Sequence, residues 1–513
     1  MPTAHVAVIG AGMAGLAAAL ELAVRGARTT VIEQASHAGG KLRQVQVAGH
    51  AIDSGPTVFT MRGIFEELFA LAGRSLESSL PLQRAQILAR HAWSDSERLD
   101  LFAEPTRTAE AIGTFAGARE ARRYLEFTRD ARRIFQTLER PYLRAERCGP
   151  LRLARRIGLR HLTQLLRIRP FDTLWHALGS YFHDPRLRQL FARYSTYCGS
   201  SPFEAPATLM LIAHAEQDGV WLVEGGMQRL ADTVTQLARA HGVEFRFDTE
   251  VTAVPLRSGR VTGLSLASGE FIPAHAVIVN ADVDAVAAGR FGQDLSSAVT
   301  RRPPNLRSLS AVTWSLLAET SGFPLLRHTV FFSPDYAAEF QQIFRQRQLP
   351  AWPTVYVCAQ DRPAHETAAP GGPERLLCLI NAPADGDART YDPAEIDVCA
   401  SRTFTFLERC GLTVHRQPQR TVTTTPPQFE RLFPATGGCL YGQSTHGWRA
   451  SFSRPGSRTR IPGLYLAGGS VHPGPGLPLA VLSGRLAAQS VLDDLDSLLH
   501  PHPVATRGGI STL

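Results

Sequence analysis

The chain has 513 residues, of which 44% are hydrophobic, and a formal net charge of +8 at pH 7. This length exceeds what one hydrophobic core normally supports, so we expect two or three domains. Lys41 is the only lysine, so arginine carries almost all of the positive charge. A basic surface suits contact with an anionic membrane, but no nucleic-acid-binding motif is present, so we predict no nucleic-acid partner.

The seven cysteines are scattered and include no CxxC pair. That pattern argues against a disulfide framework, a zinc site and a dithiol redox site, and it favours the reducing cytoplasm. No signal peptide precedes the first predicted strand, and no apolar run reaches the roughly 18 residues of a membrane-spanning helix. We therefore expect a cytoplasmic protein whose contact with a membrane is peripheral.

The N-terminal segment has the order strand, glycine turn, helix, strand and acid that binds dinucleotides. The strand at residues 6–9 runs into Gly10, Gly12 and Gly15, and Glu33 ends the second strand. The first glycine permits the tight turn, the second lets the backbone approach a pyrophosphate, and the third lets the helix pack on the strand. Glu33 can accept a hydrogen bond from a ribose hydroxyl. The pattern predicts a dinucleotide-binding site.

A second glycine pair separates flavin from nicotinamide as the expected ligand. Gly39, Gly40 and Lys41 follow the acid, and this segment resembles the corresponding one in two-domain FAD oxidoreductases. An NAD dehydrogenase does not need this pair. We therefore predict FAD and no metal, and we find no second glycine fingerprint for a nicotinamide.

The C-terminal part of the chain closes the same predicted site. A short strand ends at Gly468 and Gly469, a loop rich in glycine and proline runs to Pro478, and a helix of small residues follows. The N-terminus of a helix after a glycine loop attracts a phosphate or the electron-rich edge of a flavin. We expect Gly468, Gly469 and Pro478 to contact the cofactor.

The remaining segments alternate between helical and β-strand patterns. Residues 76–221 read as helical and rich in arginine, and residues 291–455 contain strands with β-branched and aromatic residues. The predicted fold class is α/β, with a Rossmann-like FAD-binding domain built from discontinuous segments, a mixed-sheet substrate domain and a helical domain that can associate with a membrane. The predicted boundaries are 1–75, 222–290 and 456–498 for the FAD-binding domain, 76–221 for the helical lid, 291–455 for the substrate-binding domain and 499–513 for a flexible tail.

Residues 151–169 mix leucines and arginines at helical spacing, and Pro170 ends the pattern. One interpretation is an interfacial helix, with its apolar face in the lipid boundary and its arginines on anionic headgroups. The other is an ordinary amphipathic surface helix. The sequence leaves both interpretations open.

Taken together, these segments make the chain resemble the carotenoid desaturase branch of the FAD amine-oxidoreductase superfamily over nearly its whole length. The resemblance implies FAD as the cofactor, a carotenoid as the substrate, and oxygen or a quinone as the electron acceptor. It also implies that the strand backbone at Val251 passes the adenine. The segments that carry the resemblance are 8–15, 39–41, 53–57, 225–227, 280–282, 331–336, 433–442 and 464–478.

Within that branch, the chain resembles the hydroxyneurosporene (methoxyneurosporene) desaturases of purple photosynthetic bacteria. Val223 and Glu224 stand where phytoene desaturases usually carry Tyr-Pro, which favours this group. The resemblance implies formation of the 3,4 double bond of 1-hydroxycarotenoids, in spheroidene or spirilloxanthin biosynthesis. It also implies a cytoplasmic enzyme peripherally associated with the inner or photosynthetic membrane. The segments that support this resemblance are 53–61, 184–187, 193–197 and 219–227.

Three alternative functions stay open at this point. A phytoene desaturase and a carotenoid isomerase belong to the same class of enzyme. A prenyl-binding carrier belongs to another class, and the intact glycine turn with Glu33 argues against it, because a carrier has no need of a pyrophosphate site.

The sequence does not identify a catalytic acid or base. Desaturation removes a hydride and a proton from neighbouring carbons, so we expect orientation of the substrate against the flavin to supply most of the catalysis. His472, in the closing loop, either takes up a proton or hydrogen-bonds the loop backbone. His214, Glu216 and Glu224 are expected to be structural.

A hydroxyl group on the substrate would need a buried polar partner in the binding site. Arg193, Tyr194, Tyr197 and Trp314 are candidates, and the sequence does not choose among them.

Overall fold

The computed structural model describes residues 4–158, 169, 171–363 and 371–499. Among these residues, five parallel strands from distant parts of the chain form one sheet. In spatial order they are Leu464–Leu466, Ala276–Val279, His5–Ile9, Arg28–Ile32 and Glu244–Arg246. The central strand sets the register, with Val8 opposite Ile278 on one side and Val31 on the other.

The central strand of this sheet is buried on both faces. Val6 and Val8 belong to a core shared with the long helices, whereas Ala7 and Ile9 belong to a second core on the opposite face. Both faces of a parallel sheet are normally covered, which explains why this strand is a continuous apolar run rather than an alternating one.

Two helices touch at backbone distance beside this sheet. A Cβ on Gly484, in the helix Leu477–Leu499, would lie 2.0 Å from the carbonyl oxygen of Ala14, in the helix Met13–Val24. Only glycine fits at such a crossing. The small residues of the C-terminal helix therefore let it pack directly on the helix that follows the glycine turn.

A second, mixed sheet occupies another part of the structure, and eight of the described strands form it. Its ordered path runs Leu412–His415, Ser310–Gly322, Glu374–Ala382, Val355–Ala359, His328–Phe331, Ile87–Ala92 and Arg98–Phe102, and Thr421–Thr424 also pairs with the long second strand. The strands predicted within residues 291–455 are therefore present, and they include Ser310–Gly322, Val355–Ala359 and Glu374–Ala382.

The prediction that residues 76–221 are helical in pattern does not hold at Leu82–Arg84, Ile87–Ala92 and Arg98–Phe102, which are strands. Ile87–Ala92 and Arg98–Phe102 form a hairpin, in which Arg90 pairs with Asp100 through two hydrogen bonds of 2.7 Å. The first of these strands also pairs in parallel with His328–Phe331. Pairing with a strand so far along the chain leaves no mark on local periodicity, so sequence patterns miss it.

The smaller strands form short ribbons and one three-stranded sheet. They are Val251–Ala253 with Gly263–Leu266 and Phe271–Pro273, Leu256–Arg257 with Arg260–Val261, Gln44–Val47 with His50–Asp53, and Leu82–Arg84 with Trp221–Val223.

Helices connect these sheets. The described α-helices are Met13–Val24, Arg62–Leu71, Leu76–Ser79, Pro105–Ala116, Ala118–Leu138, Pro150–Ile157, Leu174–Tyr181, Pro185–Ala192, Leu211–Asp218, Gln228–Ala240, Val283–Ala287, Tyr336–Gln341, Pro393–Arg409, Pro426–Leu432 and Leu477–Leu499. The described 3₁₀ and π turns are Glu139–Leu143, Arg193–Cys198, Ala207–Met210, Gln293–Ala298, Pro304–Leu306, Gln342–Gln346, Pro418–Arg420 and Ala450–Phe452.

Two predicted segments lie largely outside the described residues. The leucine- and arginine-rich stretch 151–169 is described as a helix from Pro150 to Ile157, but 159–168 and 170 fall outside. Residues 500–513 of the predicted tail also fall outside. Within the part of the chain that the structure describes, no helix combines the length and apolarity needed to cross a bilayer.

Candidate active site

The described residues enclose a cavity of about 1070 Å³ with mostly apolar walls. Residues of the glycine turn, of the second glycine pair and of the C-terminal loop line one part of it. Thr313, Leu377 and Leu379 of the mixed sheet line another part. The two sheets therefore contribute to one continuous space.

The glycine turn is packed too closely for any side chain. A Cβ on Gly15 would lie 2.1 Å from the carbonyl oxygen of Gly10, and a Cβ on Gly12 would lie 2.9 Å from Nδ2 of Asn280. Gly10 also has a φ of +96°, which disfavours other residues. The turn thus leaves backbone exposed where a pyrophosphate can approach it.

Asn280 is a site residue that the sequence analysis did not single out for a role. Its Nδ2 donates a hydrogen bond of 3.1 Å to the carbonyl of Gly10, and its Oδ1 lies 3.2 Å from where a Cβ on Gly468 would be. It therefore holds the N-terminal and C-terminal glycine segments together. One sequence signal could have identified Asn280 as a site residue: it directly follows a predicted buried strand, and ligands of α/β sheets bind at the carboxyl ends of such strands.

The helix Met13–Val24 begins at the cavity with an open N-terminus. Its N-cap residue is Gly12, which supplies no side-chain hydrogen bond to the first turn. The first N–H groups of a helix lack partners within the helix, and the helix dipole favours negative charge there. This end of the helix can hold a phosphate group.

Glu33 lies at the end of the second parallel strand and lines the cavity. Its Oε2 accepts a hydrogen bond of 2.7 Å from the N–H of Ala11, and its Oε1 accepts one of 2.9 Å from the N–H of Ala35. These contacts hold the carboxylate beside the glycine turn, where a ribose hydroxyl can donate to it.

The second glycine pair packs directly on the first. The N–H of Gly39 donates a hydrogen bond of 2.9 Å to the carbonyl of Ala11, and a Cβ on Gly40 would lie 3.1 Å from the Cα of Gly12. Lys41 lines the cavity, and its Nζ donates a hydrogen bond of 2.6 Å to the carbonyl of Leu440. The two glycine segments thus form one surface.

The other predicted cofactor contacts also line the cavity: they are Val251, Gly468, Gly469 and Pro478. Gly468 has a φ of +125°, and its N–H donates a hydrogen bond of 3.1 Å to Oγ of Ser483 in the C-terminal helix. Pro478 is in the first turn of that helix. A second helix N-terminus therefore faces the cavity.

His472 does not line the cavity, although Ser470 and Pro473 do. Its Nε2 lies 3.0 Å from the carbonyl oxygen of Tyr142 and 2.9 Å from that of Ala145. Burial lowers the pKa of His472, so the ring is neutral near pH 7 and its Nε2–H donates to these carbonyls. The ring is engaged with the protein backbone rather than with the cavity.

The structure separates the candidates for a hydroxyl-binding group. Arg193 and Tyr197 line the cavity, whereas Tyr194 and Trp314 do not. Trp314 is 1% exposed and packs edge-on against Phe404 in the core of the mixed sheet.

The structure separates the three residues that were expected to be structural. Glu216 lines the cavity from the helix Leu211–Asp218, whereas His214 and Glu224 do not line it. A helix pattern shows which residues share a face, but it does not show that this face borders a cavity.

A hydrogen-bonded chain of three polar side chains was not foreseen. The hydroxyl of Thr57 lies 2.7 Å from the phenol oxygen of Tyr356, which lies 2.7 Å from Nδ1 of His328. Thr57 and Tyr356 line the cavity. Burial lowers the pKa of His328 to about 3, so it is neutral near pH 7. Tyr356 sits in a predicted strand that carries no chemical motif, so sequence patterns do not reveal it.

The residues present fit FAD. Two glycine segments clear a surface for a pyrophosphate, a carboxylate lies at the ribose position, and two helix N-termini face the cavity. The adjoining apolar walls suit a hydrophobic substrate that must meet the cofactor away from water. Such a combination defines an FAD-dependent oxidoreductase with a large apolar substrate chamber.

Comparison with known proteins agrees with this class. The chain belongs to the family of flavin containing amine oxidoreductases, which matches residues 13–492. Its cofactor is therefore FAD, as the sequence predicted. The predicted resemblance to carotenoid desaturases is confirmed by two relatives.

Both relatives bear the name hydroxyneurosporene desaturase. The one from Rubrivivax gelatinosus is 53% identical over 511 residues, which cover 99% of this chain and 97% of the relative. The one from Cereibacter sphaeroides is 42% identical and covers 96% of this chain and 98% of the relative. Wild-type putrescine oxidase bound to putrescine shares the fold, with a TM-score of 0.58 at 13% identity, over 96% of this chain and 99% of that one.

Proposed function

We propose that this protein desaturates a hydroxylated carotenoid and introduces the 3,4 double bond of a 1-hydroxycarotenoid such as 1-hydroxyneurosporene. The observation that carries the proposal is the cavity of about 1070 Å³, which joins the FAD-binding segments to mostly apolar walls. A long hydrocarbon is the class of substrate that such walls suit. The names of the two hydroxyneurosporene desaturases support the choice of carotenoid.

The chain's own residues supply orientation and exclusion of water in this reaction. Bound FAD would supply the hydride acceptor for this desaturation, in which a neighbouring carbon loses a proton, and a quinone or oxygen would be the final electron acceptor. We assign cofactor binding to cavity-lining residues, and we add Asn280: they are Gly10, Gly12, Glu33, Gly39, Gly40, Lys41, Val251, Gly468, Gly469, Pro478 and Asn280. Gly15 does not line the cavity, and we assign it the supporting role of packing closely on Gly10. We assign His472 the role of holding the closing loop against residues 142–145.

We also propose a modified division into domains. The parallel sheet supports an FAD-binding domain from residues 1–75, 222–290 and 456–498, because each of these segments supplies at least one of its strands. Residues 87–102 are better placed with the substrate-binding residues 291–455, because they extend the mixed sheet.

The activity is tested by anaerobic incubation of the purified protein with FAD, a quinone and either 1-hydroxyneurosporene or phytoene. We expect the absorption of the hydroxylated carotenoid to shift to longer wavelength as its conjugation grows. Consumption of phytoene with no change in the hydroxylated substrate would identify a phytoene desaturase and contradict the proposal. Isomerisation without loss of hydrogen would identify an isomerase, and a protein that never takes up FAD would be a carrier.

We further propose that the protein docks on an anionic membrane beside this cavity, on the cytoplasmic side of the inner or photosynthetic membrane. The helix Pro150–Ile157 supplies Leu153 to the cavity lining, while its Leu151 is 85% exposed. Phe171, which also lines the cavity, is 71% exposed. Exposed apolar groups among arginines, on a chain of net charge +8, suit anionic headgroups.

The docking proposal predicts that the protein sediments with anionic vesicles at low salt. The double variant Leu151→Ser and Phe171→Ser is expected to bind at least about 10-fold more weakly, because it removes two exposed apolar side chains that would become buried in the membrane interface. Phe271→Ser is the matched control, since Phe271 is 48% exposed on a strand that does not line the cavity. Equal sedimentation of all three proteins, or none for the wild type, would contradict the proposal.

A further inference from the structure

One stretch of the cavity wall is charged and lies outside the segments assigned to FAD. Arg193 and Tyr197 reach it from the 3₁₀ turn Arg193–Cys198, and Glu216 reaches it from the helix Leu211–Asp218. Arg193 is 9% exposed and Glu216 is 4% exposed. The mostly apolar chamber thus contains a buried cation and a buried anion.

The three side chains form a linear hydrogen-bonded cluster. Arg193 Nη2 donates a hydrogen bond of 3.1 Å to the phenol oxygen of Tyr197, whose hydroxyl donates one of 2.9 Å to Oε1 of Glu216. The hydroxyl of Tyr194, which does not line the cavity, donates a hydrogen bond to Oε2 of Glu216. Tyr197 therefore lies between the guanidinium group of Arg193 and the carboxylate of Glu216.

The cluster has unused hydrogen-bonding capacity. Each carboxylate oxygen of Glu216 accepts one hydrogen bond from a tyrosine, although a carboxylate offers about four lone-pair positions. Burying charges with unmet capacity costs free energy, and apolar side chains would line a hydrocarbon tunnel at lower cost. Such a cluster is explained if a ligand group completes it.

A hydroxyl group has the chemistry to complete this cluster. It carries one donor and two acceptor positions, so it can donate to a carboxylate while it accepts from a phenol or a guanidinium. A pure hydrocarbon can do neither. Hydrogen bonds to charged groups are also stronger than those between neutral groups.

The cluster and the cofactor-binding segments line the same cavity. Gly199, which directly follows the 3₁₀ turn, has a φ of +63°, and a Cβ there would lie 2.5 Å from the ring of Tyr441. The preceding residue, Leu440, accepts the hydrogen bond from Lys41 in the second glycine segment. In a 1-hydroxycarotenoid the carbon that bears the hydroxyl is two bonds from C3. A site for that hydroxyl must therefore lie beside the place where hydrogen is removed.

We propose that Arg193, Tyr197 and Glu216 form a subsite that binds the terminal hydroxyl of the carotenoid and thereby selects the hydroxylated substrate. The inference rests on the proposed function, because it names the part of that substrate which the cluster contacts. The three residues act as specificity determinants that place the adjacent carbon–carbon bond for desaturation.

Binding of two ligands that differ only in the hydroxyl tests the subsite. The ligands are 1-hydroxyneurosporene and its deoxy analogue 1,2-dihydroneurosporene, and quenching of tryptophan fluorescence reports their affinities. FAD is kept reduced with dithionite, so that ligands bind without being converted. We expect the wild-type protein to prefer the hydroxylated ligand by about 10- to 100-fold, the range of one hydrogen bond to a charged group.

Two variants probe the cluster. Tyr197→Phe removes the central hydroxyl and Glu216→Gln removes the charge, and each is expected to reduce the preference by about 10-fold. Affinity for the deoxy analogue should stay within about 2-fold of the wild-type value. A packing defect alone would instead lower the affinity for both ligands by the same factor. Tyr124→Phe is the matched control. The hydroxyl of Tyr124 donates a hydrogen bond to Gln217, which is in the same helix as Glu216, but Tyr124 does not line the cavity.

The outcomes separate this inference from the proposed function. If the wild-type protein desaturates 1-hydroxyneurosporene but both variants keep the full preference, the subsite is wrong and the function stands. If the wild-type protein desaturates neither hydroxylated nor hydrocarbon carotenoids, both proposals fall. FAD content and circular dichroism verify that each variant is folded, and loss of folding in one variant leaves the other to decide the question.

Discussion

Replacing Gly15 with alanine is expected to weaken FAD binding by about 10- to 100-fold, the cost of losing one hydrogen bond to a charged group such as the pyrophosphate. The new Cβ would lie 2.1 Å from the carbonyl oxygen of Gly10 and 2.8 Å from Nδ2 of Asn280. The first contact is with backbone, so it is relieved only if the helix moves away from the strand. That movement displaces the glycine turn and the N–H groups that hold the pyrophosphate. Titration of the apoprotein with FAD, followed by flavin fluorescence, measures the change.

The matched control for this substitution is Gly63→Ala. Gly63 lies in the helix Arg62–Leu71, and a Cβ there would meet no atom within 4 Å. Gly63 is in the first turn of this helix, where alanine is accepted without a clash, so the control should bind FAD normally and be at least as stable as the wild type. Normal FAD affinity in Gly15→Ala would show that the turn is not the pyrophosphate site. Circular dichroism of both variants separates loss of FAD binding from loss of folding.

Replacing Arg362 with methionine is expected to lower the free energy of unfolding by about 3–5 kcal/mol. The side chains of Arg362 and Glu374 are 2% and 1% exposed, and Nη2 lies 2.7 Å from Oε1. A second hydrogen bond of 2.8 Å joins Nε to Oε2. The substitution leaves the carboxylate of Glu374 buried without its cation, which costs far more than the pair itself contributes. Urea unfolding at pH 7, followed by circular dichroism, measures the loss.

Two controls show whether the uncompensated charge causes the loss. The double variant Arg362→Met with Glu374→Met should recover part of the stability, because it removes the buried charge. Recovery stays incomplete, because the carbonyl of Leu325 loses the hydrogen bond that Arg362 donates to it. Arg246→Met breaks an exposed bidentate pair with Glu270, whose side chain is 48% exposed, and it should cost no more than about 1 kcal/mol. Equal losses in the single and double variants would contradict the explanation.

Local sequence patterns predicted the cofactor half of the protein well. The predicted order is present: the helix Met13–Val24 follows the glycine turn, and Glu33 follows the strand Arg28–Ile32. Such patterns succeed here because glycine spacing, a buried apolar strand and a terminal acid follow one another within a short stretch of chain. Each of these signals acts between residues that are close in sequence.

The same patterns were insufficient where distant segments meet. The strand Ile87–Ala92 was missed because its partner, His328–Phe331, lies far along the chain. No role was predicted for Asn280, because the carbonyl of Gly10 that it contacts is far away in the sequence. Glu216 was expected to be structural because nothing in its helix shows which neighbour it faces.

By itself, the sequence determined the class of cofactor, because the FAD-binding segments consist of local turns whose glycines and acid can be recognised in order. Only the tertiary structure decided what surrounds the substrate. Arg193, Tyr197 and Glu216 meet in one cavity wall, and His472 turns away from the cavity toward residues 142–145. Which side chains meet across the cavity depends on how elements distant in sequence pack together. Such contacts do not alter the local hydrophobic periodicity of the sequence, so the periodicity cannot predict them.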